Sequence, residues 1–336
     1  MTMVETIEYQ PNRSELGHTI GGRTPVLRIH PGTGLRVACE DCFGGRVRTT
    51  DDLPSQVCDP HRLNPVSGPF HIVGAEPGDT LAVHIVAIEP TRDWGVSATY
   101  PAFGALTGTH QTPNLQTPLE ERVWVYEVDR DGETVRFQDT NGRYRVDLPL
   151  EPMIGTIGVA PSGGEVRTSV VPDAHGGNLD SPQVRACTTV YLPVNTDGAL
   201  LALGDVHARQ GDGELCGVAV EIAAHVTVVV DLVKGVAIPG PRLETDTHLM
   251  SVGCARPLED AYRISQHDLV RWAAELTGLD TLDVYQLVSQ AGTAHVGNVC
   301  DPNYTMIAAI DKTHLAGAVA FGGIHQRLRG LADAVR

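Results

Sequence analysis

Apolar positions along the chain fall into short runs bounded by turn residues, except near the C-terminus. Leu81-Ala-Val-His-Ile-Val-Ala-Ile88 is a β-branched run entered from Glu76-Pro77-Gly78-Asp79. Val123-Trp-Val-Tyr-Glu-Val128 alternates with period two, and the turn Asp129-Arg130-Asp131-Gly132 returns Glu133 to Phe137 as a hairpin partner. Thr188 to Val194, Ala199 to Gly204, Val218 to Ile222 and His225 to Asp231 have strand length and strand composition. Between Pro152 and Asp180, Gly155, Gly158, Gly163, Gly164, Gly176 and Gly177 predict loops that approach something closely. Helical spacing appears late: Leu258 to Leu276 stops before Gly278, and Leu282 to Gln290 follows with Thr281 as its N-cap. The tail from Leu315 is rich in small residues and turns mildly helical from Ile324 to Val335. The pattern predicts a β-rich α+β fold as one compact unit over 1-336, subdivided into a 1-250 core and a 251-336 α+β extension carrying two helices.

Composition narrows this. With 36 glycines, 22 prolines and only 5% aromatics, many short elements are favoured over long helices, and 42% hydrophobic content suffices for a core. The net charge of −16 argues against nucleic acid or an anionic membrane as partner. No run of about 18 apolar residues appears, and Glu5 and Glu8 stand where a signal peptide has a basic end, which points to a cytoplasmic protein. Seven scattered cysteines suit reduced thiols; Cys39-Glu40-Asp41-Cys42 reads as C-x-x-C but has no second pair for zinc and no βαβ context.

The chemistry concentrates in Gly204-Asp205-Val206-His207-Ala208-Arg209-Gln210-Gly211-Asp212-Gly213-Glu214. Asp205 and His207, two apart on a strand, project from one face, and a hairpin turn at Gly211-Asp212-Gly213 that sets Glu214 opposite His207 puts Glu214 on that face too. An imidazole with carboxylates suits Zn²⁺ or a harder divalent ion, although a polar hairpin tip contains the same residue types. In His175-Gly176-Gly177-Asn178-Leu179-Asp180 the glycine pair brings backbone N–H groups close to an oxyanion, Asn178 adds a donor and Asp180 a third carboxylate; an ordinary glycine turn is the alternative. Cys42, between Asp41 and Phe43-Gly44-Gly45, suggests a cysteine nucleophile, but nothing nearby in sequence lowers its pKa. Neither glycine-rich nucleotide motif is present.

Asp41-Cys-Phe-Gly-Gly45, Asn64-Pro-Val-Ser-Gly-Pro-Phe70, Gly74-Ala-Glu-Pro-Gly-Asp79, Pro152-Met-Ile-Gly-Thr-Ile-Gly-Val-Ala-Pro161, Gly176-Gly-Asn-Leu-Asp180, Val190-Tyr-Leu-Pro-Val194, Gly204-Asp-Val-His-Ala208 and Gly211-Asp-Gly-Glu214 follow in the order of the acetamidase/formamidase family, which the chain resembles from about Asp41 to Asp311. It departs in the first thirty residues, around Thr91 to Thr117, and beyond Lys312. The resemblance implies a β-sandwich hydrolase, usually a homo-oligomer with an associated divalent metal, that cleaves a short aliphatic amide of formamide or acetamide type into a carboxylate and ammonia.

On that basis Asp180, Asp205 and His207 are expected as ligands of a divalent metal, zinc first and calcium or another ion as alternatives. Glu214 is the expected proton carrier, with His175 and Asp212 as further catalytic candidates. Asn178, the Gly176-Gly177 backbone and Asp41 are expected to meet the small amide substrate, and Glu76, Glu151 and Glu221 are reserve carboxylates. The competing readings are a non-catalytic metal- or ligand-binding β module and a C–N hydrolase using Cys42. Strand edges and the apolar segment Leu315 to Ile324 further predict a homo-oligomer, a dimer or an assembly of dimers held partly by the tail; packing of the tail on its own domain is the alternative.

Overall fold

The computed structural model describes residues 5–107 and 119–335. Two large sheets face each other. The first runs in the order Thr6–Tyr9, Gly34–Cys39, Ala224–Val233, Thr80–Pro90, Thr189–Pro193, Arg242–Glu244, His248–Ala255, Tyr304–Asp311 and Thr293–Asn298. The second runs Arg145–Pro149, Thr134–Gln138, Arg122–Asp129, Trp94–Thr99, Val220–Glu221, Leu201–Arg209, Met153–Gly158 and Gly176–Asn178, with Val66–Ile72 also paired to Leu201–Arg209. Their facing side chains form one core: Leu35, Val83, Val190 and Val228 from the first meet Ile154, Ile157, Leu203 and Val206 from the second. Each such buried aliphatic contributes roughly 1.5–3 kcal/mol. The predicted β-rich α+β class is what the chain adopts. Pairing is mainly antiparallel, with parallel exceptions where Thr6–Tyr9 meets Gly34–Cys39 and Leu27–Ile29 meets Val66–Ile72.

Most periodicities land where expected. The hairpin of Arg122–Asp129 and Thr134–Gln138 pairs Glu127 with Arg136. Helix Leu258–Thr277 buries Ala261, Leu269, Trp272 and Ala273 against His248–Ala255 and Tyr304–Asp311. Those strands continue the first sheet, so the C-terminal part grows out of the core.

Some expectations are corrected. The second helix, Thr281–Ala291, is capped by Asp280, whose side chain accepts from Leu282 N at 2.8 Å, rather than by Thr281. Thr189–Pro193 and Leu201–Arg209, although consecutive in the chain, lie in different sheets. The tail ends in a third helix of the extension, Ile324–Val335, and Ile324, Leu328 and Ala332 pack on the chain's own core because Ala82, Val86 and Val229 offer an apolar sheet face there, while Ala320 packs with Leu249, Leu269 and Trp272. Among the described residues no helix is long and apolar enough to cross a membrane.

Candidate active site

Strand Met153–Gly158 pairs with Leu201–Arg209, Ile154 opposite Val206 and Thr156 opposite Gly204. A Cβ on Gly155 would lie 2.6 Å from both Asp180 Oδ1 and Asp205 Oδ2, so a residue without a side chain lets the two carboxylates close over this strand. Beside them is a cavity of about 200 Å³ whose polar lining includes Asn178, Asp180, Asp205, His207, Glu214, Glu221 and Asp301. Asn64, Asp180, Asp205 and Glu214, all lining it, have φ of 48°, 40°, 58° and 44°. Such left-handed backbone costs a non-glycine residue about 1–2 kcal/mol, less for Asn and Asp than for Glu. Its concentration around one cavity is the mark of a site held in place by its surroundings.

His207 is the centre. Its Nε2 lies 3.4 Å from Asp205 Oδ1, 3.4 Å from Glu221 Oε1 and 3.8 Å from Asp180 Oδ1, with every one of these side chains buried. Gln210 fixes the ring: its Nε2 donates to the carbonyls of Asp180 at 2.5 Å and Gly297 at 3.0 Å, which leaves Oε1 to face His207 Nδ1 at 3.0 Å. Nδ1 therefore carries a hydrogen, and Nε2 is the nitrogen that addresses the carboxylates. Around this centre Asn178 is fully committed. Its Nδ2 donates to Asp180 Oδ2 and Asp301 Oδ2, and its Oδ1 accepts from Thr156 and Asn64.

The charge is unbalanced. Five carboxylates line the cavity, and among the described residues no lysine or arginine does. Burial, then Asp301 and Asp205, raise Asp180 well above the usual carboxylate range, and Glu214 is raised by burial and by Asp180. Burial pushes Glu221 up to about 7 although His207 pulls it back. Burial alone would lower His207, but Glu221, Asp205 and Asp180 hold it well above its ordinary value. A proton on Nε2 thus lies where a cation would be equally welcome. The donor set fits a divalent ion: Asp180, Asp205 and His207 offer ligand atoms within 4.8 Å of one another, as do His207, Glu214 and Glu221, and Asp180 Oδ1 is buried with no hydrogen-bond partner.

Of the residues singled out in the sequence, Asp180, Asp205, His207, Glu214 and Asn178 come together here. Asp212, Gly176, Gly177, His175 and Asp41 stand elsewhere. Asp212 is exposed and faces His295 at 3.6 Å, because the turn it occupies points away from the cavity. Gly176 and Gly177 are in the sheet ladder opposite Gly158 and Ile157; a Cβ would meet Ile157 O at 2.4 Å and Val171 O at 2.3 Å, so close packing explains them. His175, buried behind that strand, is outside the lining, and so is Asp41, whose carboxylate accepts from Gly45 N and Arg92. The hairpin also differs from expectation: His207 pairs with Glu221, and Glu214 arrives from the intervening loop, pinned by Gly213 N to Val296 O and Val299 N to Gly213 O. Of the reserve carboxylates Glu221 lines the cavity, while Glu76 and Glu151 are exposed and paired with Lys234 and Arg209.

Sequence reasoning missed Asp301, Asn64, Thr156 and Gln210. Glu221 carried a signal, an acid inside the apolar run Val218 to Ile222; Asp301 carried none, since Asp-Pro after a strand reads as a turn. Cys42 does line the cavity, but burial with Glu221 and Asp205 pushes its thiol well above its ordinary pKa, opposite to what a thiolate nucleophile requires.

Comparison with known proteins places the chain in a family. The sequence model of the acetamidase/formamidase family matches residues 23–168 and 163–310. A solved acetamidase from Yersinia enterocolitica is 42% identical and superposes over 90% of each chain with a TM-score of 0.85. The acetamidase of Mycolicibacterium smegmatis is 27% identical over 264 residues, covering 62% of this chain and 63% of its own length. The formamidase of Methylophilus methylotrophus is 27% identical over 251 residues, covering 62% and 61%. The chain thus spans less than two thirds of the length of the curated relatives it matches. By the extent of the family match and its likeness to the solved acetamidase, the chain belongs to the acetamidase/formamidase family.

Proposed function

We propose that the chain hydrolyses small carboxamides, RCONH₂ and water giving RCOO⁻ and NH₄⁺, in the His207 cavity with a divalent cation bound there. The observation that carries this reading is His207 buried among carboxylates with no lysine or arginine among the described residues of the lining, in a family whose relatives are acetamidases and formamidases. His207 Nε2, Asp180, Asp205 and Glu221 would hold the cation, zinc first for its affinity for imidazole with carboxylates, calcium or another ion second. When bound, it supplies Lewis acidity toward the amide oxygen and lowers the pKa of water.

The chain's own groups do the rest. Glu214, buried within reach of His207, takes a proton from the attacking water and returns it to the nitrogen as the C–N bond breaks, since an amide anion is not a viable leaving group. The Cys300 thiol, 3.3 Å from Glu214 Oε2, holds that carboxylate in place. Asn178, with both amide hydrogens on carboxylates, positions Asp180 rather than donating to an oxyanion.

Ammonia release from formamide, acetamide, propionamide and urea, with and without chelator, tests this. Turnover of an amide that stops on chelation and returns with Zn²⁺ is the expected result. Metal-replete protein with no turnover would favour a non-catalytic binding module, and turnover that ignores chelator but is lost in Cys42→Ala would favour the thiol. Assembly into dimers is likewise proposed, on the exposed Tyr262, Leu282 and Tyr285 of the helix pair, since Ile324, Leu328 and Ala332 of the tail pack on their own chain; light scattering checks it.

A further inference from the structure

The cavity has an apolar lining as well: Phe43, Leu63, Tyr100, Phe103, Val170 and Val218. Phe43 and Val218 are buried members of a separate small core with Val47, Val96, Ala98 and Val123, against which Leu63 packs. Phe43, Val218 and Leu63 therefore have packed support of their own. Phe103 lies on Gly217, where a Cβ would meet its Cδ1 at 2.5 Å, so the glycine admits the ring. The chain has five phenylalanines, and Phe43 and Phe103 both stand at this one cavity.

Size and polarity then select the substrate. The reacting carboxamide must sit at His207 and Glu214, so its acyl substituent is left to the apolar lining. Formamide has no such substituent and would leave those rings and branched side chains against water. A cavity of about 150 Å³ accommodates benzene, and this one is about 200 Å³. A carboxylate on the acyl group would meet five others, and no lining lysine or arginine among the described residues would offset it. Resting on the amide-hydrolase reading above, we infer that the preferred substrates are carboxamides with a bulky, uncharged, apolar acyl group, from butyramide size to a phenyl ring, in preference to formamide and acetamide.

The test is kcat/KM of the full chain, supplied with Zn²⁺, on formamide, acetamide, propionamide, butyramide and benzamide. Each methylene placed on the apolar lining should raise kcat/KM about fourfold, the equivalent of its transfer out of water. Benzamide should be turned over at least as well as acetamide. A series that peaks at formamide or acetamide overturns the inference while leaving amide hydrolysis intact; no turnover of any amide overturns both. Leu63→Trp should lower the butyramide-to-acetamide ratio at least tenfold, and Leu63→Ala should raise the benzamide-to-acetamide ratio. Ratios unmoved in both variants would show that this wall does not select. Inhibition by butyrate and benzoate relative to acetate gives a binding readout: tighter binding of the larger carboxylates supports the inference, and tighter binding of acetate contradicts it.

Discussion

Two buried polar regions of this molecule handle charge in opposite ways. Beneath helix Leu258–Thr277, Arg242 grips Asp268 through Nε at 2.9 Å and Nη2 at 2.7 Å, Ser251 adds a hydrogen bond at 2.6 Å, and the guanidinium stacks on Trp272. Nearby, Glu244 takes Lys312 Nζ at 2.6 Å and the Tyr191 hydroxyl at 2.6 Å. Every carboxylate there has a cation. Around His207 five carboxylates share one imidazole, backbone torsions are strained and Asp180 Oδ1 has no hydrogen-bond partner. Paired charge of the first kind supports a fold, whereas unpaired charge of the second kind is a place prepared for something that arrives.

The comparison breaks most visibly in turnover. Glu214→Gln should reduce kcat for every accepted amide by about 10²–10⁴, the usual worth of a positioned proton carrier, with the fold intact. Variants of the paired region should instead act on stability. Arg242→Met leaves Asp268 buried without its cation and should cost about 3–5 kcal/mol in a urea titration, as broken buried pairs do. Asp301→Asn keeps an oxygen for the Asn178 amide and removes a crowding charge, so chelator-treated protein should be no less stable than the parent. Equal losses in the two regions would erase the distinction.

The same contrast explains what the sequence disclosed. Strands and helices were legible because burial imposes period two on Val123 to Val128 and a 3.6-residue period on Leu258 to Leu276. Three of the four proposed ligands were legible because Asp205 and His207 share a strand and Asp180 follows a glycine pair in a family motif. Asp301 and Asn64 were not, because they reach the cavity through loops whose course depends on the whole sandwich. Asn64 enters at φ 48° and meets Asp205 at 2.7 Å across 141 positions of the chain, and no local periodicity encodes that. Asp212 misled for the converse reason: the turn that carries it turns its carboxylate outward.

His175 offers a smaller test on a buried group belonging to neither region. Burial pushes it down to about 4, and its Nε2 has no partner. The native ring is therefore neutral where the unfolded one, near 6.5, takes up a proton, so stability falls as pH drops from about 6.5 toward 4 and is fully present above that window. The loss is at most about 3 kcal/mol. His175→Gln should be nearly neutral below pH 4.5 and destabilising above 7. A parent-minus-variant difference in stability that stays constant across the window would show that His175 does not titrate with folding.

The smallest expected effect calibrates the rest. Asp280 caps helix Thr281–Ala291 through its bond to Leu282 N, at an exposed position remote in kind from both buried regions. It satisfies one otherwise free N–H and places a negative charge at the positive end of the helix dipole, so Asp280→Ala should cost about 1 kcal/mol. Thr281→Ala, which removes no cap bond, should cost less. Both variants should retain amide turnover, since neither residue lines the cavity. If Asp280→Ala cost as much as Arg242→Met in the same urea titration, exposed and buried charge would be equivalent in this protein, and the inference from unbalanced charge to site would lose its footing.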